Sequence, residues 1–213
     1  VGGGYAYGAL GSSHHATEEL AVLRALPGMC VVAPGDPAEA EAATRAVAAR
    51  PGPCYLRLGK AGEPKVHAAM PAFELGKAIT VREGTDLTLI ATGGMLHGTV
   101  AAADALAAEG LKARVLSMHT LKPLDTDAVL KAAAETGVIM TVEEHSVIGG
   151  LGGAVAEVLA QADGRRPKFR IHALPDAFCR KVGGQEYLKA QMGLAVSDIA
   201  SAARALVRSK VAA

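Results

Sequence analysis

Two adjacent histidines, His14 and His15, stand between a glycine-rich opening and the start of a short helix. Imidazole titrates near neutrality, so a histidine in that setting can meet an anion, donate a hydrogen bond to a substrate oxygen or carry a proton. A surface pair, or a structural histidine with its hydrogen bonds satisfied, is the plainer alternative. Arg57 lies near the end of an apolar strand running from Cys54 to Leu58. In an open parallel sheet, ligands gather beyond the carboxyl ends of the strands. A guanidinium there can hold a phosphate through two parallel hydrogen bonds; a buried or interfacial salt bridge explains it equally well. Glu143, Glu144 and His145 follow a strand and precede the run GGLGG at residues 149–153. A glycine run opening a helix resembles an anion site. This one lacks the ordered GxGxxG spacing and sits beside two acids, which favours domain packing over nucleotide binding. Glu beside His also resembles a hydrolytic pair, but no serine stands on an elbow motif.

Other chemistries find less support. The seven histidines are scattered and HExxH is absent, so a zinc site requires distant residues to meet on folding. Cys30, Cys54 and Cys179 form no CxxC. Cys30 and Cys54 fall in apparent strands and read as buried free thiols, and the odd, unpatterned set favours a reducing compartment, hence a cytoplasmic location. A net charge of +1 without a basic run leaves no nucleic-acid footprint; the densest pair, Arg165 and Arg166, falls in an expected turn. Aromatics are only 3%, with no Trp, which argues against base or sugar stacking. No apolar run reaches the roughly 18 residues of a spanning helix, so no membrane partner is expected.

The elements that position these residues alternate. Residues 1–12 read as a glycine-rich loop, and residues 17–26 as a short helix capped by Thr17 or Ser13. A buried strand runs from Met29 to Ala33. Asp36, Pro37 and Glu39 form an N-cap, N1 and N3 set that opens a helix to about Ala49. With the strand from Cys54 this makes a βαβ unit. Residues 69–80 read as a linker. Strands are expected at Lys77–Arg82, Leu87–Ala91, Ala113–Ser117, Val138–Val142 and Phe169–Ala173. Helices are expected at Leu96–Glu109, from Asp125 to about Glu135, at Ile148–Ala162 and from Val196 to about Arg208. Short strands alternating with helices of this length imply an α/β fold with a mostly parallel sheet covered on both faces.

Several of these segments together resemble the thiamine-diphosphate enzymes of the transketolase family. They are GSSHH through LPGMCVVAPGD at residues 11–36, GPCYLRL at 52–58, and the stretch from Gly93 through LKPLD at 121–125 to TVEEH at 141–145 and GGLG at 149–152; LPDAF at 174–178 and GQEYL at 184–188 fit as well. The resemblance implies a partial pyrimidine-binding α/β domain at residues 1–68, a linker at 69–80, and a transketolase C-terminal-like three-layer α/β/α domain at 81–213. It is nearest to the separate C-terminal subunit of a split transketolase. The implied activity is transfer of a two-carbon ketol unit between sugar phosphates. By the same resemblance His14 is a catalytic and substrate-binding residue touching substrate oxygens, His15 stands beside it, and Arg57 binds the sugar phosphate. Thiamine diphosphate and Mg2+ would belong to the complete assembly, with none held by this chain alone. The activating glutamate and the aromatics over the pyrimidine would precede Val1, so the chain by itself would be inactive and would need an N-terminal transketolase subunit or an upstream segment. The family's cofactor site lies between subunits, which implies a homodimer. Two positions depart from the pattern: Gly2 and Leu10 stand where transketolases carry a histidine and an acidic residue that act on sugar hydroxyls. They keep open a non-catalytic assembly or regulatory module of the same fold, and a 1-deoxyxylulose-5-phosphate synthase-like or 2-oxoacid dehydrogenase beta-like subunit.

Overall fold

The structure, a computed structural model, describes residues 2–164 and 166–209. Val1 and Arg165, half of the basic pair expected in a turn, lie outside them, as do residues 210–213. The opening loop is tied down by backbone bonds: the amides of Gly2 and Gly3 donate to the carbonyls of Gly59 and Leu58, and Gly4 forms a bridge with Ala16. Two single turns of 3-10 helix, Gly8–Leu10 and Ser12–His14, lead to α1 at Glu19–Ala25. Neither Thr17 nor Ser13 caps α1. Its N-cap is Glu18, and the Thr17 hydroxyl donates instead to the Glu18 carboxylate. The side chain that sequence assigns to the helix is thus diverted to a nearer anion.

Strand β1 (Cys30–Val32), helix α2 (Pro37–Ala49) and strand β2 (Cys54–Leu56) form the expected parallel βαβ unit, with Cys30 opposite Cys54 and Val32 opposite Leu56. Asp36 caps α2 by accepting from the Glu39 amide, and Pro37 sits where no amide is needed. No helix or strand occurs between β2 and β3, and β3 (Ile79–Arg82) begins inside the stretch read as a linker.

The larger sheet has the order β3-β5-β4-β7-β8, where β4 is Leu87–Ala91, β5 is Ala113–Ser117, β7 is Val138–Ser146 and β8 is Lys168–Leu174. Only the edge strand β3 is antiparallel. Helices α3 (Leu96–Ala108) and α7 (Val196–Arg208) cover one face; α4 (Thr126–Glu135) and α5 (Leu151–Gln161) cover the other. The period-two alternation of β4 distributes its side chains accordingly. Leu87, Leu89 and Ala91 join the core under α3 and α7, and Ile90 joins the core under α4 and α5. This is the three-layer α/β/α domain expected from the sequence.

Two elements were not expected. The seven-residue helix α6 (Gln185–Gln191) lies against the opening 3-10 turn. Strand β6 (Thr120–Lys122) leaves the large sheet and pairs antiparallel with β1, giving a second sheet of order β2-β1-β6. Three residues running into Pro123 carry no readable periodicity, and β6 is identified only by its partner. Its effect is large, because Leu20, Val31 and Ala33 of the first part share one core with Ile90, Leu116 and Leu151 of the second.

Candidate functional site

The candidate site grows from the glycine loop. A Cβ on Gly3 would lie 2.7 Å from Arg57 Nε, and one on Gly4, whose φ is +63°, would lie 2.3 Å from the Glu144 carboxyl carbon. Only glycine lets the loop rest directly on both groups. That contact, with the Gly4–Ala16 bridge, sets the height of the turn that carries the histidines.

The histidine pair divides. His14 is exposed, with Nδ1 3.1 Å from Ser13 Oγ. His15 is half-buried and packs edge-on against Tyr5, ring centroids 4.8 Å apart. The two neighbours therefore face different surroundings, one toward solvent and one toward the fold.

Arg57 is buried. Its Nε donates to Glu19 Oε1 at 2.6 Å, and its Nη2 donates to the carbonyls of Ala16 at 2.9 Å and Glu144 at 3.0 Å. Burial works against its charge, and the Glu19 and Glu144 carboxylates outweigh burial and hold the guanidinium protonated. Of the two readings left open for Arg57, the internal ion pair is what the geometry contains. Its remaining nitrogen, Nη1, lies beside Gly93 and borders a cavity of about 10 Å³ lined also by Glu63, Glu144 and Gln185. That is room for about one water and no more.

The acidic pair serves packing. Glu143 is fully buried and accepts from the amides of Leu151 at 2.6 Å and Gly152 at 2.7 Å, so its carboxylate occupies the N-terminus of α5. The helix end that resembled an anion site already holds an internal anion. Burial pushes the Glu143 carboxyl up to about 7, against those two amides and the nearby Arg57 and Arg24. Glu144 accepts from the Tyr5 amide and from Gln185 Nε2, both at 2.9 Å. His145 joins the same join between parts: its Nδ1 is 2.9 Å from the Ser146 carbonyl, and the Ala21 amide donates to its Nε2 at 3.3 Å.

Sequence reasoning missed Tyr5, Glu63 and Gln185, which surround Arg57 and Glu144. Their only signal was their place in segments carrying other motifs. It also missed the second use of Asp36 and Glu39. Asp36 Oδ2 accepts from the amides of Val66 and His67, and Glu39, fully buried, takes the Gly35 amide, Ser117 Oγ and His67 Nε2. Burial favours the neutral acid of Asp36, yet its three amide donors hold the carboxyl below the usual range.

Among the described residues, no group of three His, Cys, Asp or Glu side chains could hold a metal ion. With Glu143 on the Leu151 and Gly152 amides, the N-terminus of α5 does not fit the diphosphate end of a thiamine cofactor. Nor is any described helix long and apolar enough to cross a membrane.

Against known proteins, the Transketolase, C-terminal domain family matches residues 76–199, and the Transketolase, pyrimidine binding domain family matches residues 1–63. An apulose-4-phosphate transketolase subunit of Phocaeicola vulgatus is 45% identical over 83% of this chain and 56% of its own. The 6-deoxy-6-sulfo-D-fructose transketolase subunit of a Clostridium species is 40% identical over 94% of this chain and 61% of its own. A solved structure described as a split gene transketolase, an inactive beta4 tetramer, is 38% identical with a TM-score of 0.82, covering 92% of this chain and 63% of that one. The chain thus spans roughly three fifths of the length of the relatives it resembles.

Proposed function

The chain belongs to the transketolase family, and from that premise we propose that it is the C-terminal component of a thiamine-diphosphate-dependent transketolase that moves a two-carbon ketol unit between sugar phosphates. The observation that carries this reading is His14: it stands exposed on a turn that the Gly3–Gly4 loop, Arg57 and Glu144 fix from behind. Such an imidazole can donate a hydrogen bond to a sugar oxygen or pass a proton to it. His15 steadies the turn from within through Tyr5. Arg57 holds the turn by its committed nitrogens, and a direct sugar-phosphate contact would have to use Nη1.

The bound cofactor supplies an electron sink, and we assign its diphosphate and Mg2+ to another domain or subunit. The working assembly is then a cytoplasmic one in which this chain pairs with an N-terminal transketolase subunit or segment and with a second copy of itself. The division into residues 1–68, 69–80 and 81–213 is part of the same proposal.

The test is reconstitution with a transketolase N-terminal subunit, thiamine diphosphate and Mg2+, followed by ketol transfer from a ketose phosphate to an aldose phosphate. Turnover is expected, with His14→Ala lowering kcat/KM by about 100-fold while circular dichroism is unchanged, because His14 is exposed. Turnover of pyruvate in place of a ketose phosphate would move the chain to the synthase-like or dehydrogenase-like reading. No retention of thiamine diphosphate by the assembly, with no turnover of either, would favour the non-catalytic one.

A further inference from the structure

Cys30 and Cys54 are neighbours across β1 and β2, directly opposite in register. Paired residues of adjacent parallel strands project to the same face, and strand spacing puts their Cα atoms about 4.8 Å apart, within the range a disulfide spans. Both thiols belong to the small core under α2, with Val32 and Ala43. They differ in access. Cys30 is fully buried, whereas Cys54 is half-buried and follows the exposed turn Pro51–Pro53. They also differ in charge environment. Arg50, at the C-terminus of α2, brings its Nη1 to 3.8 Å from Cys54 Sγ. A cation there can attract the negative charge on sulfur as it attacks an electrophile. Burial, and the neighbouring Cys54 thiol after it, keep the Cys30 thiol protonated.

We propose that Cys30 and Cys54 form a peroxide-oxidisable dithiol, in which Cys54 is the attacking thiolate, Cys30 the resolving thiol and a small hydroperoxide the oxidant. The Cys54 thiolate attacks one peroxide oxygen, the O–O bond breaks, and the departing hydroxide takes up a proton as water. Cys54 is thereby oxidised by two electrons to the sulfenic acid. Cys30 loses its proton and attacks the Cys54 sulfur; the sulfenate oxygen leaves as a second water, and the S–S bond closes. Two thiols and one hydrogen peroxide become one disulfide and two waters. In a reducing compartment the bridge is transient and reversed by a dithiol. Because β2 runs directly into Arg57, closing it pins the strand that bears the residue holding the histidine turn.

The test treats the intact chain with hydrogen peroxide at neutral pH, quenches with catalase, alkylates residual thiols in denaturant and maps the peptides by mass. The expected result is that two of the three thiols are protected, that the mass falls by about two hydrogens, and that the Cys30 peptide is linked to the Cys54 peptide within one monomer. Cys30→Ser is expected to stop at a sulfenic acid on Cys54 that dimedone traps, and Cys54→Ser to leave residue 30 alkylatable. Arg50→Gln is expected to slow oxidation several-fold and Arg50→Lys to retain most of the rate. Full alkylation of all three thiols after peroxide, a link that forms only in denaturant, or a link involving Cys179 or a second chain would overturn the proposal. The Cys30→Ser result keeps the test decisive even if Cys54→Ser folds poorly.

Discussion

Arg57 gathers three segments onto one guanidinium: the carboxylate of Glu19 on α1, the carbonyl of Ala16 in the turn, and the carbonyl of Glu144 on β7. Removing the cation leaves Glu19 without its ion-pair partner and the buried carbonyls of Ala16 and Glu144 without their donor, so Arg57→Ala is expected to cost about 3–5 kcal/mol. Arg57→Lys restores charge but not the planar fork and should recover only part of the loss; urea unfolding of the two variants checks this, and equal stability would refute it. His119 offers a pH test. It is fully buried, stacks on Phe73 with ring centroids 3.9 Å apart, and burial lowers its pKa from 6.5 to about 4. The folded state therefore prefers neutral imidazole while the unfolded chain binds a proton below about 6.5. Stability from this group is complete above that pH and is lost as pH falls toward 4, by about 3 kcal/mol at most. His119→Phe should flatten that part of the stability profile relative to the parent; an unchanged slope between pH 4 and 6.5 would count against the assignment. Glu143 runs the other way. Its carboxyl is raised to about 7, so its burial becomes costlier as pH rises from about 4.5 to 7 and costs least below that window. Glu143→Gln should remove that opposing slope.

At the scale of elements, the start of α2 performs two tasks. Asp36 caps the helix through the Glu39 amide and clamps residues 66–67 of the connecting segment through two more amides. Asp36→Ala is expected to cost about 1–3 kcal/mol and to raise hydrogen exchange at the Val66 and His67 amides, which a capping role alone would leave untouched. The cap was legible because Asp, Pro and Glu occupy fixed positions relative to a helix start; the clamp was not, since its partners lie about 30 residues away in a segment without periodicity. The same contrast separates β4 and β5, found at their observed bounds from short stretches rich in apolar residues, from β6, whose three residues are a strand only because β1 lies beside them. It also separates α7, amphipathic over 13 residues, from α6, seven residues long and too short for its pattern to stand out.

For the molecule as a whole, β6 and the shared core around Leu20, Ile90 and Leu151 join the two family-matched parts. Calorimetry should therefore record one unfolding transition, and Leu20→Ala, at a fully buried site, should lower it by about 2–5 kcal/mol without splitting it; two resolved transitions would show that the parts are independent. The sequence by itself determined the family, the α/β class, the βαβ unit and most helices and strands, because these rest on motifs and periodicities local in the chain. It also put His14, His15 and Arg57 forward by residue type. Only the tertiary structure decided that His14 faces solvent while His15 turns inward, that Arg57 is held in an ion pair, and that Glu143 closes the helix behind the glycine run. Those outcomes depend on which distant carboxylates and amides arrive beside each group, and on the cost of burying a charge without a partner, neither of which is written in local spacing.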